Sequence, residues 1–134
     1  MQAHAHSALR QYQSAAISGE ASDAHPHKLI EMLLAGALDR IARARGHVER
    51  SELAYKHKAI GSVVAILDHL RMSLDLKAGG EIARNLGSLY DYCMQRMAQA
   101  NATDDVALLD EVSGLLREIK SAWDAIAPGA ARAH

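Results

Sequence analysis

Apolar residues recur along this chain at spacings of three and four, which is the rhythm of amphipathic helices. Leu9, Tyr12, Ala16 and Ile17 make a first, short stripe of about two turns. Gly19 ends it, and 19–24 reads as a polar linker. Pro26 suits the first turn of the next helix. Ile30, Leu34, Ala37, Ile41, Ala44 and Val48 then form a heptad-like seam, widened by Leu29 and Leu33. Ser51 or a neighbour is expected to cap a further helix, whose seam is Ile60, Val63, Leu67, Leu70 and Leu74.

Gly79-Gly80 predicts the next boundary, with Glu81 in a first turn favoured by the helix dipole. Beyond it, Ile82, Leu86, Leu89, Cys93 and Met97 make one apolar row, and Tyr90, Met94 and Met97 an adjacent one. An apolar arc this wide predicts a helix either deep in a bundle or packed on one side and bound to a partner on the other. Asn85 lies between the rows. Thr103 is expected to cap the last helix, with Asp104 and Asp105 in its first turn. Leu109, Val112, Leu116, Ile119, Trp123 and Ile126 carry its seam until Pro128-Gly129.

The fold expected is all-α: an antiparallel four-helix bundle with an additional short N-terminal helix. Residues 1–24 read as a flexible segment carrying that short helix, 25–127 as the bundle, and 128–134 as a disordered tail. Composition adds to this. The two prolines sit near the ends, there is no Phe, and strand patterning is absent. Gly36, Gly61, Gly87 and Gly114 fall inside the long helices, where each costs about 0.8–1 kcal/mol against alanine. They mark close helix packing or a shallow surface for a foreign helix.

A net charge of −1 argues against nucleic-acid binding. The single cysteine fits a reducing cytosol, and no apolar run reaches membrane length. A cytoplasmic protein without membrane insertion is expected. Arg40, Arg43, Arg45 and Arg50 crowd one helix end, as a solvated face or an acidic-partner site. His4 and His6, and His25 and His27, are spaced by two, but no converging ligand set accompanies them. Cys93 on an apolar seam reads as a buried, inert thiol. No catalytic residue, metal site or cofactor is expected, so the chain is read as a non-enzyme.

Gly79-Gly80-Glu81-Ile82-Ala83, Asn85-Leu86, Leu89-Tyr90-Asp91-Tyr92, Arg96 and Ala100-Asn101 together resemble the flagellin export chaperone family, FliS. Pro26–Leu33, Gly36-Ala37, Ser73-Leu74-Asp75 and Trp123 extend the resemblance to about residues 9–126. Leu34-Ala35 and Cys93 depart from its usual residues. The resemblance implies a cytoplasmic helical bundle that binds the disordered C-terminal segment of flagellin and prevents its premature polymerisation. It also implies docking of that pair on the export gate of the flagellar type III apparatus. Leu33, Ala37, Asn85, Leu86, Leu89, Tyr90 and Met94 are the expected client-binding residues. Leu9, Tyr12, Ala16 and Ile17 are expected to form an N-terminal lid or a permanently docked helix. A bundle whose apolar face is a permanent homo-oligomer interface, with no client, is the alternative.

Overall fold

The computed structural model describes residues 25–126. Four helices make up this part: α1 (His25–Glu49), α2 (Leu53–Met72), α3 (Leu76–Thr103) and α4 (Val106–Ala125). No strand occurs among the described residues. The expected N-terminal helix at Leu9, Tyr12, Ala16 and Ile17, its role as a lid, and the tail from 128 lie outside them.

Short connections force consecutive helices to run antiparallel. α1 packs on α2 and α4, and α3 packs on the same two, so the four close into a ring. The expected seams line its axis. On α1, Ile30, Leu34, Ala37, Ile41 and Ala44 are buried; on α2, Ile60, Val63, Leu67 and Leu70; on α4, Leu109, Val112, Leu116 and Trp123. Each pair of neighbours also carries a polar tie at its rim. Arg40 Nε donates to Ser62 Oγ at 3.0 Å between α1 and α2. Arg71 Nε meets Asp91 Oδ1 at 2.6 Å between α2 and α3. Arg96 Nε lies 3.3 Å from Glu111 Oε1 between α3 and α4. Arg45 grips Asp110 through Nε and Nη2, at 2.8 and 3.1 Å, between α1 and α4.

The helix ends depart from expectation in three places. Ser51 caps nothing: it takes a left-handed φ of 58° just past the end of α1. Glu52 N–H donates to His47 O at 2.8 Å and Ser51 N–H to Val48 O at 3.0 Å, the paired bonds of a Schellman ending. Glu52 is the N-terminal flank of α2, without a side-chain cap, because its carboxylate is taken by His47 and Arg50.

The second difference is the start of α3. An extra turn begins at Asp75, whose side chain accepts from Ala78 N–H at 2.9 Å, ahead of the expected Gly79-Gly80 boundary, which is present as a break inside α3. One turn follows, and then Gly80 kinks the helix at φ 56°, ψ −131°, a conformation open only to glycine at low cost. Thirdly, Thr103 belongs to α3. Asp104 is left-handed and sends its N–H to Ala100 O at 2.8 Å, which ends α3. Asp105 alone caps α4, accepting from Ala107 N–H at 2.9 Å.

Lys56 is a buried cation that the apolar seam conceals. It sits one turn before Ile60 on the same face and is 2% exposed. Its ammonium donates to Asn101 O at 2.8 Å and pairs with Asp104. It thereby satisfies a carbonyl orphaned at the C-terminus of α3 and places its charge where the dipole favours it.

Candidate functional site

α3 decides where a partner could bind, because its apolar arc is wider than the bundle covers. Ala83, Gly87, Tyr90, Cys93, Met97 and Ala100 face inward and are buried. At 100° per residue, Ile82, Leu86 and Leu89 lie along one flank of that arc. Cys93 and Ala100 continue the same flank toward the C-terminus and are buried. Near the kink the cover fails: Ile82 is 67% exposed, and Leu86 and Leu89 are half-buried.

The α2–α3 bend adds to this surface. Met72, the last residue of α2, is 76% exposed, and Leu76, the first of α3, is 55% exposed. Met72 and Ile82 are the two most exposed large apolar side chains among the described residues. Leu74 between them folds inward instead, its Cδ1 within 3.4 Å of where a Cβ on Gly87 would stand. Exposed apolar side chains thus stand at the bend, Met72 and Leu76, and beyond Gly80 on the first turns of α3, Ile82; these are termed the α3 edge.

The expected client-binding residues divide accordingly. Leu33, Ala37 and Tyr90 are fully buried in the core. None of the three presents a surface in this packing. Asn85 is exposed and flanks Leu86 and Leu89 on the open edge. Met94 is half-buried against the core, roughly 140° around the helix from Leu89, so it does not share that edge. Met72 and Leu76 were not in the expected set. Met72 falls off the Ile60-Val63-Leu67-Leu70 seam, which was the available signal that it points outward.

Reactive chemistry is sparse. Burial, reinforced by Glu111, pushes the Cys93 thiol up to about 11, which keeps it protonated and unreactive at neutral pH. Burial raises the Tyr90 phenol as well, with Cys93 adding to the effect. On the exposed rim, the hydrogen bond from Arg45 holds Asp110 below the usual carboxylate range, and those from His47 and Arg50 do the same for Glu52. No group of three or more His, Cys, Asp or Glu among the described residues could hold a metal ion. No helix among them is long and apolar enough to cross a membrane.

Among the described residues, a closed ring of four helices with exposed apolar side chains about the α2–α3 bend defines an all-α helical bundle. Its sequence matches the flagellar protein FliS family over residues 6–130, and the chain belongs to that family. It is 47% identical over 123 residues to the flagellar secretion chaperone FliSB of Pseudomonas aeruginosa, covering 92% of this chain and 98% of that protein. It is 40% identical over 125 residues to the flagellar secretion chaperone FliS of Salmonella typhimurium, covering 92% and 93% of the two chains. With the Vibrio cholerae flagellar secretion chaperone FliS it shares 38% identity over 120 residues, 90% of this chain and 88% of that one.

Proposed function

We propose that this chain is an export chaperone for flagellin: it binds the disordered C-terminal segment, blocks premature polymerisation and assists delivery to the flagellar type III export apparatus in the cytoplasm. The observation that carries the reading is the exposure of Met72, Leu76 and Ile82 about the α2–α3 bend, with half-covered Leu86 and Leu89 following on α3. An amphipathic segment that folds on this edge covers side chains worth about 1.5–3 kcal/mol each when fully buried. That gain offsets the ordering of a disordered client. The docking mode is helix-in-groove, with Asn85 offering a hydrogen bond at the rim.

Size-exclusion chromatography with and without a flagellin C-terminal fragment tests this. A monomer that shifts only on adding the fragment supports the proposal. A concentration-stable oligomer indifferent to the fragment would make the edge a self-association surface and overturn it.

A further inference from the structure

A second surface lies between α1 and α2. Arg40, Arg43, His47, Tyr55, Lys58, Ala59 and Ser62 line an open groove of about 200 Å³. No carboxylate is among the lining residues. Arg43 is paired with Asp39 at 2.9 Å, and His47 Nδ1 lies 2.8 Å from Glu52 Oε1. Arg40 and Lys58 have no carboxylate within 4 Å among the described residues. The chain carries only a net −1 charge, so this is a local excess of cations in a balanced protein.

Arg40 is the distinctive element. Its Nε donates to Ser62 Oγ at 3.0 Å and its Nη1 to the Gly36 carbonyl at 3.1 Å. Ser62 is 1% exposed, so the guanidinium is anchored to a buried group. Both partners are neutral. They fix the orientation of the fork without cancelling its charge, and donors remain for an anion. Tyr55 sits on the rim, 60% exposed, with its ring stacked 5.4 Å from that of His47.

We propose that this groove docks an acidic segment of a partner polypeptide, with carboxylates on Arg40 and Lys58 and an apolar side chain against Tyr55 and Ala59. A small inorganic anion would meet the two cations and leave the aromatic rim uncovered. The few cations present are too sparse for a phosphate backbone, which is held by many. The surface is separate from the α3 edge, so the inference stands independently of the flagellin reading.

The test is fluorescence anisotropy on the full-length protein at low salt. The probe is a short dye-labelled peptide alternating glutamate with leucine, compared with the same peptide carrying glutamine. The glutamate peptide is expected to bind, and to weaken steeply with added salt. Lys58→Glu should weaken it by about tenfold or more, and Arg40→Gln comparably. Lys77→Glu, the same charge change outside the groove, should have little effect. Lys58 is exposed, so its variant decides the matter even where Arg40→Gln fails to fold. Equal binding of the glutamine peptide, no binding of either, equal loss in Lys58→Glu and Lys77→Glu, or complete displacement by millimolar phosphate would each overturn the proposal.

Discussion

The indole N–H of Trp123 donates to the backbone carbonyl of His27 at 2.9 Å, while the two rings stack 4.5 Å apart and 12° from parallel. This contact fastens the last turn of α4 to the first turn of α1, ninety-six residues away. Trp123→Phe keeps the stacking and loses the hydrogen bond. It should destabilise the protein by about 1 kcal/mol, read as a lower midpoint in urea by circular dichroism.

Tyr90 belongs to the core. Tyr90→Ala should cost about 3–5 kcal/mol, as truncation of a large buried ring does. That is a large share of the stability of a domain this size. A melting temperature unchanged by the substitution would return Tyr90 to the client surface.

Two backbone positions predict opposite signs. Ser51 is exposed and left-handed, so Ser51→Gly should relieve strain and stabilise by about 0.5–1 kcal/mol. Gly80 has open space around its absent Cβ, so Gly80→Ala meets no clash. It should still destabilise by about 1–3 kcal/mol, because φ 56°, ψ −131° is strained for alanine. Paired thermal melts check both.

Acid should loosen the α1–α4 tie. The folded state holds Asp110 below its ordinary range through Arg45. A depressed carboxylate contributes stability that is fully present above the unfolded value and lost as pH falls through the folded one. Asp110→Asn should therefore lower the melting temperature at neutral pH. The gap to the unmodified protein should close as pH falls below the folded value.

Three of the four helices were legible because one rule governs them. On α1, α2 and α4 an apolar seam faces a single core, so Ile41, Leu67 and Leu116 are buried where the three-four rhythm put them. Helix ends were less legible. Ser51, Asp75 and Asp104-Asp105 are all residues that cap, turn or adopt left-handed backbone, and the sequence does not say which role each takes. On α3 the rhythm admits two registers, one led by Ile82 and one by Ala83. Near the kink the bundle buries Ala83, Gly87 and Tyr90 and leaves the Ile82 row partly open, while further along Cys93 and Ala100 of that row are buried too. This is why Asn85, Leu86 and Leu89 reach the open edge and Tyr90 does not. Lys56 was hidden because its partners, Asn101 and Asp104, lie at the far end of another helix.

Calorimetric titration of a flagellin C-terminal fragment into the unmodified protein and into Ile82→Asp tests the central claim most directly. Ile82 is exposed, so the variant should keep its melting temperature. A charge placed in the proposed interface should weaken binding by about 2 kcal/mol or more, as at a central contact. Unaltered affinity in a folded Ile82→Asp protein would contradict the assignment of the α3 edge as the client surface.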